Sequence, residues 1–228
     1  VEDCKKFGTL PFAGLARCGF IAMDILKSLN NNKMINNDEY SSFLESIETV
    51  TSQMKIDLNT VSKKRFLEKY GHLRPGTYEI TNKNYRENFK EYFGNIKKNK
   101  ANHKKLKFSL LNKISSTLIY KSKKEMIDFI KDSIVMREYS KFIFTKSVDL
   151  IFKNLEKFGK KYNIKTKDLS YIKIDKMLDF YFNLSNYKTI ESIKKHIREN
   201  KKEYNLNIDI ALPDVITSNK DLFVQHRK

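Results

Sequence analysis

The stretch EKYGHLRPGTYEI, Glu68 to Ile80, gathers His72, Arg74, Thr77 and Tyr78 around Pro75-Gly76. The whole chain has only seven Gly and three Pro in 228 residues. Proline presets φ at the first central position of a type II turn, and glycine accepts positive φ at the second. Such a turn would aim Arg74 and Thr77 from its flanks, with His72 and Tyr78 nearby. Exposed N–H groups, a guanidinium, an imidazole and two hydroxyls on a rigid turn could hold a polar or anionic ligand. The alternative is a helix-to-strand corner whose polar groups meet only water.

A second constellation lies far along the chain. Apolar residues recur at 3-4 spacing from Ile130 and Ile134 to Phe144, Val148, Ile151, Leu155, Phe158 and Tyr162, but Arg137 and Lys141 interrupt the middle of that stripe. A buried cation is costly unless paired. Internal ion pairs would satisfy these two, with Glu138 adjacent; so would a cavity for an acidic ligand, or snorkelling at a bend. On local grounds internal pairing is favoured. A single cavity shared by the Pro75-Gly76 turn and the Arg137/Lys141 break would explain both features, and that shared geometry is the expectation. Arg17 is the one charge in a run of small residues, Ala13 to Gly19, and joins the candidate binding set.

The elements that must position these groups are helices. PFAGLARCGFIAMDILKSL reads as a helix with Leu15, Cys18, Ala22, Ile25 and Leu29 on one face, begun by Pro11. Its small residues suit close helix packing. DEYSSFLESIETVTSQMKI reads as a second helix, with Phe43, Ile47, Val50 and Met54 on one side. Asp57 or Asn59 would cap a third, through Phe66, Leu67 and Tyr70. A short helix is expected over 84–94, then a Lys-rich connector, NIKKNKANHKKLK, with His103 as exposed filler. The longest pattern runs from about Lys123 to Tyr162. DLSYIKIDKMLDFYFNL follows as a short segment and a helix, and TIESIKKHIRENKKEY closes the set, with His196 at its surface. The spacing therefore predicts an all-α chain with one long central helix and few or no short strands. Residues 1–205 are expected to form the helical domain, and 206–228, which contain Pro213, a linker to a part that is not here. The first residue is Val, which fits a piece of a longer polypeptide.

Composition bounds the function. Apolar residues make up 40%, enough for a core. The formal net charge is +18, but only seven of the 45 basic residues are Arg, the residue whose forked geometry suits grooves and phosphates. Nucleic-acid binding through the Lys surface is thus the rival reading, not the leading one. Cys4 and Cys18 suggest neither a disulfide framework nor a zinc site, so a reduced, cytoplasmic setting fits. No membrane-spanning run is expected. GxxxxGK[ST], HExxH, CxxC pairs, GxSxG and GxGxxG are all missing from the sequence. Four scattered histidines suggest no metal cluster, and no catalytic residue is assigned.

FGTLPFAGLARCGFIA, EKYGHLRPGTYEI, MREYSKFIFTKSVDLIFKNLEKFGKKYNI and DLSYIKIDKML occur in this order. Together they resemble the central helical region of phosphoenolpyruvate-synthase-like phosphotransferases, a family that includes rifampin phosphotransferases. The resemblance is greatest to the L-glutamine kinase type linked with capsular polysaccharide synthesis, and it covers most of residues 7–217. It implies a three-part enzyme: an ATP-grasp part binding ATP and Mg, a mobile histidine-carrying part, and a middle part that binds the acceptor. This chain would be the acceptor-binding middle part, with L-glutamine as acceptor and the phosphoryl group passing from histidine to the amide oxygen. Arg74, Arg137 and Lys141 would neutralise a carboxylate or the incoming phosphate, and His72, Thr77 and Tyr78 would orient the polar end. The wider family often carries Pro-Gly-Glu here; Thr77 takes the place of that Glu, so no role for the Glu transfers.

Overall fold

A single helix of 39 residues, α6 (Lys123–Lys161), dominates the secondary structure. It matches the expected span to within a residue. The computed structural model describes residues 1–94, 122–182, 186–208, 210–211, 215–218 and 226–227. The Lys-rich connector with His103, and most of the expected linker, lie outside these. Before α6 come α1 (Leu10–Asn31), α2 (Asn37–Ser46), α3 (Val50–Thr60), α4 (Lys63–Tyr70) and α5 (Phe89–Phe93). After it come α7 (Thr166–Leu169), α8 (Ile174–Phe182) and α9 (Asn186–Asn207). Two-residue strands, Ile210–Ala211 and His226–Arg227, pair antiparallel, with Ile210 opposite Arg227. The fold is all-α, as the periodicity predicts.

Three local expectations need correction. The helix expected to begin at Pro11 begins earlier: a π-helical turn over Cys4–Thr9 runs directly into α1. The helical stretch Cys4–Asn31 therefore has 28 residues, and its most apolar 18-residue window has a mean hydropathy of 1.4. By length and composition it is long and apolar enough to cross a membrane, contrary to expectation. The earlier start matters because it brings Leu10 into the apolar stretch ahead of Pro11. Second, the helix expected over 38–56 is two helices. Asn36 and Thr49 each head a capping box, closed by Glu39 and by Ser52. Thr and Ser side chains that bond local backbone compete with a continuing helix, so α2 stops and α3 starts anew. Third, Asp57 caps nothing. It is buried inside α3, and Ser62 caps α4 by accepting from the Arg65 N–H.

The described residues form two compact units: 1–78 with 82–151, and 79–81 with 152–228. The first has two apolar clusters. Ala22, Leu26, Leu29, Ile35, Phe43 and Ile47 pack with Met126, Ile127 and Ile130 of α6. Phe66, Tyr70 and Phe142 form the other, with Phe89 and Phe93 edge-on to Phe66. Small residues in the π-helical turn and in α1 allow this backbone to approach α6. A Cβ on Gly19 would lie 2.8 Å from Cδ of Arg137, and one on Gly8 2.9 Å from Cβ of Phe144. In the second unit Ile80, Ile164, Leu169, Ile193 and Ile197 make the core, with Phe158 and Tyr162 against it.

Candidate functional site

The middle of α6 is buried on two sides. Phe144 meets α1, where its ring lies 5.2 Å from that of Phe12. Phe142, Thr145 and Asp149 are buried on another side, and this is the side that receives the segment after α4. Three bonds join the two. The His72 ring contacts the Phe142 carbonyl through Nε2 at 3.0 Å. Arg74 Nη2 donates to Asp149 Oδ1 at 2.6 Å, and Asn84 Nδ2 donates to the same oxygen at 2.8 Å. Arg74 Nη1 also donates to the Asn82 carbonyl. Both side chains of the Arg74–Asp149 pair are only 5% exposed.

These long-range bonds hold the segment, and the turn chemistry does not. No glycine adopts positive φ among the described residues, so Gly76 does not occupy the second centre of a type II turn. Instead the Tyr85 N–H donates to the Leu73 carbonyl and the Arg86 N–H to that of Gly71. The alternative, a helix-to-strand corner, is not found either: α4 is followed by irregular chain up to α5.

Over this anchor lies a cavity of about 220 Å3 in the first unit. Arg74 and Thr77 line it from the irregular segment, and Glu138, Lys141 and Thr145 from α6. Val50, Thr51 and Met54 of α3 close another wall, and Tyr85 and Phe142 contribute rings. The Glu138 carboxylate accepts from the Thr51 N–H at 3.1 Å, in the first turn of α3 where unpaired donors and the helix dipole favour an anion. Lys141 is exposed and, among the described residues, has no carboxylate within 4.0 Å. The site therefore offers a fixed carboxylate, a solvent-facing ammonium and hydroxyls over an apolar wall. Burial pushes the Tyr85 phenol up, with Tyr92 adding to it, so Tyr85 stays a neutral donor. Burial likewise lowers the His72 imidazole; the Phe142 carbonyl opposes that, while Lys146 and Arg86 reinforce it. Neutral His72 acts as a strut to α6.

Of the residues singled out in the sequence, Arg74, Thr77 and Lys141 meet at this cavity. His72 lies beneath it, lining with Arg74, Thr77, Thr145 and Asp149 a void of about 10 Å3, with room for no more than one water. Tyr78 is 63% exposed and faces Phe144 at a ring distance of 6.5 Å. Arg17 is exposed on α1. Arg137 is half-buried over Gly19 and does not line the cavity. The internal ion pairing favoured for Arg137 and Lys141 is not found among the described residues; the stem of Arg137 covers α1, and Lys141 stands in solvent, so neither strands a charge. The cation that is paired is Arg74. Asp149, Asn84 and Tyr85 went unmarked in the sequence. Asp149 had a signal: four residues after Thr145 and three before Phe152, it is an acid among the core positions of a long helix.

The fold and site define an all-α chain with a small polar cavity built on a buried ion pair. Comparison with protein-family models, with curated proteins and with solved structures finds no match.

Proposed function

We propose that this chain is the acceptor-binding part of a larger ATP-dependent phosphotransferase, and that its cavity takes an amino-acid-sized acceptor, L-glutamine. The observation that carries the reading is the meeting of Arg74 and Thr77 with Lys141 at one cavity, although more than sixty residues separate them. The cavity is smaller than the roughly 300–1,000 Å3 of drug-sized sites, which suits a small polar molecule. Lys141 would neutralise the carboxylate of the acceptor and Glu138 would meet its ammonium. Thr77 and Tyr85 would orient the amide end. Arg74 shapes the wall through Asp149 and contributes no separate charge. Arg137, Tyr78 and Arg17 leave the acceptor set, and His72 supports it from below. ATP and Mg would bind in an ATP-grasp part, and the phosphorylated histidine would come from a further part of the same cytoplasmic enzyme.

The test uses the complete polypeptide with ATP and a panel of amino acids. Lys141→Met should weaken acceptor use about 10- to 150-fold, the worth of a charged hydrogen bond of about 1.5–3 kcal/mol. Labelling of histidine by ATP should stay intact. Arg137→Met should leave acceptor kinetics unchanged. Normal acceptor kinetics in Lys141→Met would sink the assignment.

A further inference from the structure

The second unit has a concavity of its own, of about 290 Å3. Its apolar lining is Ile164 and Ile197, two core residues that are 8% and 6% exposed. Asn163, in the left-handed region at φ 55°, ends α6 and lets the Ile164 N–H close back on the Gly159 carbonyl at 2.8 Å. That closure forms one wall. Lys194, Arg198 and Lys201 border the concavity from α9, at the i, i+4, i+7 spacing of one helix face.

Three cations share this border with one carboxylate. Asp168 accepts from Lys201 at 3.1 Å. Lys194 reaches Glu191 at 3.5 Å, but both are well exposed, and such a pair contributes little. Arg198 has neither an ion pair nor a side-chain hydrogen bond among the described residues. Like charges four apart on a helix repel. A Lys-rich face spread in solvent needs no partner, but this row edges an apolar-lined hollow, and the cations there outnumber the carboxylate by two.

We propose that this concavity binds a phosphate monoester with an apolar body. Arg198 provides the forked donor for the phosphate oxygens, a geometry that lysine lacks. Lys194 and Lys201 flank the dianion, and Ile164 and Ile197 take the body. Asp168 holds Lys201 in place at some electrostatic cost to the ligand. A nucleic acid would instead use the dispersed Lys surface and show a steep loss of affinity with salt.

The experiment is a 15N-NMR titration of the whole chain with phenyl phosphate, with phenyl sulfate as the monoanionic control and a single-stranded oligonucleotide as the polyanion. Phenyl phosphate should saturate at one site, with shifts centred on Asn163, Ile164, Ile197 and Arg198. Phenyl sulfate should bind more weakly. Arg198→Met should weaken phenyl phosphate at least about tenfold, as loss of a charged hydrogen bond does. Asp168→Asn should tighten it, because the competing carboxylate is gone. Arg198 is exposed, so its variants should fold; Arg198→Lys, which keeps the charge and drops the fork, should fall between wild type and Met. Non-saturating shifts spread over the Lys surface would overturn the proposal, as would unchanged binding in Arg198→Met or weaker binding in Asp168→Asn. Tighter, strongly salt-dependent oligonucleotide binding at the same amides would replace it with the polyanion reading. Lys141→Met should leave this titration unaltered, so its outcome is separate from that of the first-unit cavity.

Discussion

Asp57 and Asp149 are both buried carboxylates of the first unit, and both gather donors from other elements. They differ in what they hold. Asp149 holds Arg74, and both side chains are only 5% exposed. Asp57 holds Gln53, Tyr70 and Lys69, and Lys69 is 50% exposed. A lysine at that exposure can turn to water if its partner goes. A buried arginine cannot. The two hubs therefore look alike as hydrogen-bond lists and differ in the cost of breaking them. The costlier one sits under the candidate cavity.

The largest effect should come from Asp149→Ala. It strands Arg74 and frees Asn84 of its acceptor, and should cost about 3–5 kcal/mol, the range for a broken buried pair. Denaturant melts should show a lower midpoint with an unchanged slope. The sharper version replaces both partners, Arg74→Met with Asp149→Leu. Stability should recover in part, because the stranded charge is gone; a double variant no better than either single would mean that the pair is not the unit that matters.

Asp57→Ala should cost less, about 1–3 kcal/mol, set mainly by the buried Tyr70 hydroxyl left without an acceptor. Adding Tyr70→Phe to that background should then recover much of the loss, because the stranded hydroxyl is gone. If Asp57→Ala proves as damaging as Asp149→Ala, the exposure of Lys69 is not what separates the hubs.

The contrast also bears on what could be read from residues alone. The long helix was legible because ten positions from Ile130 to Tyr162 keep one spacing, and α9 because Ile190, Ile193 and Ile197 do. The two-sided burial of α6 was not, since a single stripe cannot show that Phe142 and Phe144 face different neighbours. The break between α2 and α3 was hidden by apolar residues that keep helical spacing across Ile47 and Val50, while Thr49 and Ser52 decide the stop. At the site, Arg74, Thr77 and Lys141 were found from the rarity of Pro and Gly and from cations in an apolar stripe. Their roles were exchanged: Arg74 is the buried, paired cation and Lys141 the solvent-facing one. Burial and pairing depend on residues distant in sequence, here Asp149, Asn84 and Asn82, so type and spacing alone leave them open.

Acid should separate the Asp57 hub from the His72 strut. His72 is held below its ordinary value of 6.5, chiefly by burial. A lowered imidazole means that the unfolded chain binds the proton first, so the contribution of His72 is complete above about pH 6.5 and declines as pH falls below it. At Asp57 burial pushes upward, but the bonds from Lys69, Gln53 and Tyr70 win, and its value lies below the ordinary 3.8. Its contribution is present above that value and is lost as pH falls further. Stability measured from pH 7.5 down to 5 should therefore fall, and His72→Gln should flatten the slope in that window. Asp57→Ala should leave that slope intact and reduce the drop below about pH 4. A wild-type curve that is flat between pH 7.5 and 5 would remove His72 from the buried support of α6.

The smallest effect on stability should come from a cation at the same cavity as Arg74. Lys141→Met deletes a charge just as Arg74→Met does, yet Lys141 is exposed and has no carboxylate within 4.0 Å among the described residues. Surface changes of this kind stay within about 0.5 kcal/mol. Arg74→Met should instead strand Asp149 and cost several times that, within the roughly 3–5 kcal/mol of a broken buried pair. The two melts, run side by side, separate framework from binding surface on one cavity wall. If Lys141→Met melts as early as Arg74→Met, Lys141 is part of the frame, and the cavity has lost the cation that was to meet its ligand. If it melts with the wild type, any change it brings to acceptor use belongs to binding and not to the fold.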